Sequence, residues 1–236
     1  MIQAIDLTKR YEDGHLALDH LNMFIDSGQI YCLLGANGAG KTTTINLFFN
    51  FIEPTSGIAR IKNIDCAKNS LDAKRHAAYI SENVMLYGNF TARQNLDFFT
   101  KLAGRKDLKK EDYDMVMREV GLPERAFEQR VKTFSKGMRQ KLGIAIAILK
   151  QANALLLDEP TAGLDPKAAS DFVDLLLKLK SEGKAILMST HDIFRAKEIA
   201  DHVGIMKEGV LIMEKTKKDL EGEDLERLYL KYMEVS

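Results

Sequence analysis

Short, continuous apolar runs alternate along this chain with stretches in which apolar residues recur at helical spacing. Residues 30–34, 154–157, 185–188 and 203–206 are such runs, each followed by polar residues or glycine, and they predict strands buried on both faces. Between the second and third runs, Asp165 and Pro166 make a helix start, an N-cap followed by proline at the first helical position. Phe172, Leu175, Leu176 and Leu179 continue at helical spacing, and Gly183 ends the segment. This alternation predicts an α/β fold, a mostly parallel sheet covered by helices. Nearer the N-terminus, residues 3–7 and 18–25 predict strands of a small antiparallel layer, which 57–61 extends.

The middle of the chain reads differently. Residues 83–152 contain no convincing strand pattern but three helical ones, at 92–102, 110–120 and 136–150. They predict a helical insertion into an α/β core formed by residues 1–82 and 153–214. The tail, 215–236, puts Leu225, Leu228, Tyr229 and Tyr232 on one helical face, expected to dock on the core. At 236 residues the chain suits one sizeable domain.

Composition narrows the partners. Lysine plus arginine equals aspartate plus glutamate at 34 each, so no net basic field points to nucleic acid. The densest basic stretch, 101–110, reads as a solvated loop. Only two cysteines occur, Cys32 and Cys66, without CxxC spacing. Cys32 sits inside an apolar run and is expected to be a buried small hydrophobe, a usage that suits a reducing compartment. The opening residues lack a basic start followed by an apolar stretch, so no signal peptide is expected. Apolar segments such as 144–149 fall far short of the roughly 20 residues that span a bilayer. The chain is therefore expected to be soluble by itself, with any membrane work done through a partner.

Three places carry chemistry. The stretch GANGAGKT, residues 35–42, follows a predicted strand, opens a helix and fits G-x-x-x-x-G-K-[ST]. Its glycines let backbone N–H groups face a phosphate closely, and the helix N-terminus favours negative charge there. Lys41 is placed to reach the β- and γ-phosphates, and the Thr42 hydroxyl to hold Mg²⁺. Asp158 and Glu159 end a buried strand: the first is a candidate Mg²⁺ ligand through water, opposite Thr42, the second a candidate to orient or deprotonate an attacking water. His191 directly follows another strand, at the edge where open α/β sheets gather their ligands. His15, His20, His76 and His202 have no such placement.

Five motifs, in order, resemble the ATP-binding subunit of ATP-binding-cassette (ABC) transporters over essentially the whole chain. They are the loop 35–42, the Glu82 segment, FSKGMRQ at 134–140, LLLDEPTAGLD at 155–165 and STHD at 189–192. The resemblance implies a P-loop NTPase with a RecA-like core, an antiparallel β layer and an inserted helical subdomain. It implies ATP and Mg²⁺ as cofactors, with Lys41, Glu159 and His191 as catalytic residues and Thr42, Asp158 and Glu82 around the metal. Nucleotide contacts would come from Gly35, Asn37, Gly38, Gly40, Lys41, Thr42 and Thr43 of the loop, from Glu82 and Asp165, and from Tyr11 stacked on adenine. Ser135 and Gly137 would cap the γ-phosphate bound by another subunit, which explains a second small-residue turn at a helix start so far from the first.

The implied assembly is a homodimer or heterodimer of ATPase subunits under an integral membrane permease, cytoplasmic and peripheral on the inner face of the cell membrane. Residues 82–90, with Val84, Met85, Leu86, Tyr87 and Phe90, would line the groove for the permease. Together with 134–143 this segment most resembles bacterial exporter ATPases, including that of the copper-site maturation system for nitrous-oxide reductase. An ATPase of iron–sulfur cofactor assembly would share every catalytic motif and is the alternative. Two departures from the family pattern stand out: Lys136 and Met138 where L-S-G-G-Q is usual, and Glu82 where glutamine is usual.

Overall fold

The computed structural model describes residues 1–234. In chain order the strands are β1 (Ile2–Arg10), β2 (Leu16–Ile25), β3 (Ile30–Leu34), β4 (Ser56–Ile61), β5 (Ile64–Asp65), β6 (Ala77–Ile80), β7 (Ala154–Asp158), β8 (Ala185–Thr190), β9 (His202–Lys207) and β10 (Val210–Thr216). The helices are α1 (Lys41–Phe48), α2 (Ser70–Arg75), α3 (Ala92–Leu102), α4 (Lys110–Glu119), α5 (Lys136–Leu149), α6 (Pro166–Ser181), α7 (Ile193–Ile199) and α8 (Leu225–Glu234).

Two sheets result. An antiparallel one runs β2-β1-β4-β5, and a six-stranded one runs β10-β9-β3-β8-β7-β6. In the second, β9, β3, β8, β7 and β6 are parallel and β10 closes the edge antiparallel. Every residue of β3, β7 and β8 is buried, as continuous apolar runs covered on both faces require. Register sets up the chemistry: Leu34 lies opposite Thr190, and Asp158 opposite Ser189. The carboxyl ends of three neighbouring strands are therefore flush, and the segments leaving them start side by side.

Helix starts follow local side chains. Asp165 caps α6 by accepting the Ala168 N–H at 2.9 Å, with Pro166 at the first helical position. Ser135 caps α5 by accepting from Met138 N at 3.2 Å, and Thr91 with Gln94 forms a reciprocal box at the start of α3. Among the described residues the segment between β6 and β7 holds helices and one isolated bridge but no named strand.

β6 and β10 were not predicted. β6 is only four residues with two alanines, and it becomes a strand through pairing with β7, residues 77 to 80 against 154 to 157. β10 is an edge strand whose pairing with β9 extends to Thr216, so the sheet runs two residues beyond the expected core boundary at 214. The helix of the tail begins only at Leu225, after turns. Leu225, Leu228, Tyr229 and Tyr232 pack on the core as expected, while residues 235 and 236 of the expected tail lie outside the described residues. Cys32 is fully buried and its thiol is pushed well up by burial; Cys66 is pushed up to about 12 for the same reason.

Lys150, at the C-terminus of α5, is largely buried, and its ammonium donates to the carbonyls of Lys74 and Ala77 at 2.6 Å each. Burial pulls its pKa down to about 8. Between that value and the ordinary lysine range near 10.4 the unfolded chain binds more protons, so stability rises with pH through this window. Denaturation at pH 7.5 and pH 10 is expected to show that rise in the wild type, up to about 3 kcal/mol, and to show it reduced in Lys150→Met. Equal pH dependence in both would contradict the assignment.

Candidate functional site

The loop from Gly35 to Gly40 joins β3 to α1, and its glycines answer steric demands. A Cβ on Gly35 would stand 2.6 Å from the Met206 carbonyl oxygen. Gly40, with φ +104°, leaves 2.7 Å between such a Cβ and the Ala17 oxygen. The loop bends around the Lys41 side chain, which is 6% exposed and donates to the Gly35 and Ala36 carbonyls at 2.6 and 3.1 Å. A lysine held inside a ring of its own loop's backbone, at a helix start, is a ready anion site.

The strands beside β3 bring the acids. Asp158, at the end of β7, accepts from the Thr42 hydroxyl at 2.9 Å and from the Ser189 hydroxyl at 2.5 Å. Glu159 follows with φ +48°, a left-handed conformation that is costly for a side chain bearing a Cβ, about 1–3 kcal/mol. That bend is held by its N–H donating to the Ser189 carbonyl and hydroxyl at 3.2 and 3.1 Å. It carries the carboxylate to the loop: Oε1 lies 3.5 Å from Lys41 Nζ, and Oε2 lies 2.9 Å from His191 Nδ1. Oε1 is buried and accepts no hydrogen bond, so the Lys41 ammonium is its charged partner at the loop.

A cavity of about 360 Å³ opens here, lined by Tyr11, His15, Ala17, residues 36–43 and Glu159. Of the sequence candidates, Tyr11, Asn37, Gly38, Gly40, Lys41, Thr42, Thr43 and Glu159 line it. Gly35, Asp158 and His191 join it through the contacts just given. The Tyr11 and His15 rings lie parallel, with centroids 6.4 Å apart. Ser189 and His15 were missed by sequence reasoning. Ser189 sits inside STHD, but its bond to Asp158 is a cross-strand contact with no local signal, and His15 gains meaning only from its position against Tyr11.

Glu82, Ser135, Gly137 and Asp165 do not line this cavity. The Glu82 carboxylate accepts from Lys136 Nζ at 2.8 Å. A Cβ on Gly137 would stand 3.2 Å from that of Ala168, so this glycine lets the starts of α5 and α6 approach. Apart from the cavity at Lys41, a second turn of small residues opens α5 beside the start of α6.

The donor set fits Mg²⁺. A hydroxyl and a carboxylate, Thr42 and Asp158, are hard oxygen ligands of the kind Mg²⁺ takes.

The family described as ABC transporter matches residues 18–162. The bacitracin transport ATP-binding protein BcrA of Bacillus licheniformis is 41% identical over 215 residues, covering 91% of this chain and 69% of its own length. The lantibiotic transport ATP-binding protein SrtF of Streptococcus pyogenes is 34% identical over 230 residues, covering 97% and 96%. Among solved structures, the ATP-binding cassette MJ0796, dimeric and bound to ADP and Pi, superposes with a TM-score of 0.82 at 25% identity, covering 92% of this chain and 99% of that one. These relatives carry no sign of the narrower likeness to nitrous-oxide reductase maturation.

Ser189 ties both acids to β8. Ser189→Ala is expected to lower ATP turnover about 10-fold while nucleotide affinity changes little, because a hydrogen bond to a charged group is worth about 1.5–3 kcal/mol. Turnover and nucleotide titration on the same preparation check this. Unchanged turnover would show that the hydroxyl does not position the acids.

Proposed function

The chain belongs to the ABC transporter family, of whose transporters it is an ATP-binding and ATP-hydrolysing subunit, and we propose that it powers export by closing as a dimer beneath a separate membrane protein. The observation that carries the chemical reading is the convergence of Lys41, Asp158, Glu159 and His191 at the flush ends of β3, β7 and β8.

In this reading Tyr11 stacks on the adenine, with the parallel His15 ring beside it. The loop N–H groups and the start of α1 hold the phosphates, and Lys41 exchanges its carbonyl acceptors for phosphate oxygens. Thr42 and Asp158 hold Mg²⁺, which when bound neutralises charge on the phosphates. Glu159 orients the attacking water and takes its proton on Oε1, the oxygen that accepts no hydrogen bond and that Lys41 leaves as it moves to the phosphates. His191 fixes the other carboxylate oxygen and faces the γ-phosphate. Ser135 and Gly137 of a second subunit complete the site, Asp165 holds the start of α6 against that turn, and ATP draws the chains together.

The membrane protein binds at the segment after β6. Val84 and Leu86 pack on the core, whereas Met85 is 84% exposed and Tyr87, Phe90 and Phe98 form an exposed aromatic cluster. An apolar cluster of this kind suits an amphipathic helix of a partner. No helix among the described residues is long and apolar enough to cross a membrane. In this reading the translocation path belongs to that partner, with the chain on the inner face of the membrane. The relatives' names, for bacitracin and lantibiotic transport, favour transport over cofactor assembly.

Glu159→Gln is expected to keep ATP binding and lose hydrolysis by about 10²–10⁴-fold, trapping an ATP-stabilised dimer. Turnover and sedimentation with ATP and Mg²⁺ check both halves. A variant that hydrolyses at the wild-type rate would remove Glu159 from the reaction.

A further inference from the structure

Glu82 and Lys136, 54 positions apart, are paired at 2.8 Å, and the backbone around them is fixed while the pair itself is not. The Gln140 side chain is fully buried and its amide donates to the carbonyls of Ser81 and Glu82 at 3.1 and 2.9 Å, clamping the first turns of α5 to the segment after β6. Below it, a Cβ on Gly143 would stand 3.3 Å from Val84, so helix and segment are in close contact. By contrast, the Glu82 and Lys136 side chains are 51% and 26% exposed. A long lysine stem with a partly solvated ammonium is the movable part of this junction.

Lys136 also stands in an electrostatically poor place. It is the first residue of α5, directly after the capping Ser135, where the helix dipole disfavours a cation. Glu82 offsets that cost in the single chain. On the other side the ammonium approaches Gly163, whose Cβ, if present, would stand 3.4 Å from Nζ. The cation therefore lies beside the small-residue turn, and a phosphate presented to the Ser135 N–H groups would compete with Glu82 for it, with more charge and more acceptor oxygens.

We propose that Glu82 and Lys136 are a hold-and-release pair: Glu82 keeps the Lys136 ammonium in the separate chain, and on closure Lys136 transfers to the γ-phosphate of the nucleotide bound by the partner. Lys136 is then a phosphate-positioning cation, and Glu82 sets how much ATP is needed to close the dimer. When the γ-phosphate is gone, Glu82 recaptures the ammonium and favours reopening. The proposal rests on the reading in which the 135–137 turn completes a partner's site.

The test measures the concentration of a non-hydrolysable ATP analogue, with Mg²⁺, that half-saturates dimer formation by sedimentation at low salt. Four chains are compared: wild type, Glu82→Gln, Lys136→Gln and the double variant. Glu82→Gln is expected to lower the midpoint about 5-fold, the upper range for a partly exposed ion pair, and Lys136→Gln to raise it at least as much. In the Lys136→Gln background, Glu82→Gln is expected to change nothing, because no ammonium remains to release. The Glu82→Gln gain should shrink at high salt, and its Mg²⁺ dependence should stay that of wild type. A raised midpoint in Glu82→Gln, or the same shift in both backgrounds, overturns the proposal. Ser135→Arg separates the two levels. If it abolishes analogue-driven association, the partner-site reading holds whatever Glu82 does; if association persists, that reading and this proposal both fail.

Discussion

The register of three parallel strands governs everything else in this molecule. With Leu34 opposite Thr190 and Asp158 opposite Ser189, the phosphate-type loop, the two acids and His191 leave the sheet at one level. Were β7 displaced by one residue, its alternation would carry Asp158 to the other face and Glu159 away from Lys41. Complete burial of β3, β7 and β8 enforces the alignment, since a slip would disturb packing on both faces at once. Core packing is thus the reason the site has its geometry, and the left-handed bend at Glu159 is tolerable because Ser189 holds it from the neighbouring strand.

That arrangement gathers some of the predicted site residues at one cavity and leaves others apart from it. The cavity around Lys41 brings together the Tyr11 ring, the glycine-rich loop and the Glu159 carboxylate, one oxygen of which accepts no hydrogen bond. Ser135, Gly137 and Asp165 stand elsewhere in the chain, at the neighbouring starts of α5 and α6. A helix start with an open face, built beside a second helix start, makes physical sense when its anion comes from another molecule. In the proposed dimer, nucleotide held by one chain would be the contact that holds the other.

Much of this was legible in the sequence where the signal is local. α3 and α5 follow from apolar residues at helical spacing, and α6 from Asp165 and Pro166, because these signals act within a few residues. The loop at 35–42 was legible because its glycines, lysine and threonine sit at a spacing that the phosphate geometry demands. The rest depends on partners far away in sequence. β6 is too short and alanine-rich to announce itself and exists by pairing with β7. Ser189 matters through a bond to a residue 31 positions away, and Glu82 and Lys136, each odd when read alone, explain one another only once folded.

If each active site is shared between two chains, a mixture of two disabled variants will reveal it. Lys41→Ala removes the phosphate cation from both sites of its homodimer, and Ser135→Arg blocks the capping turn in both sites of its own. A mixed dimer gathers both defects into one site and leaves the other with an intact Lys41 and an intact Ser135. Separately tagged chains, mixed and pulled down with and without ATP, are expected to associate on ATP addition where neither variant does so alone. If ATP promotes no more mixed dimer than either homodimer, the sites are not shared and the account is contradicted.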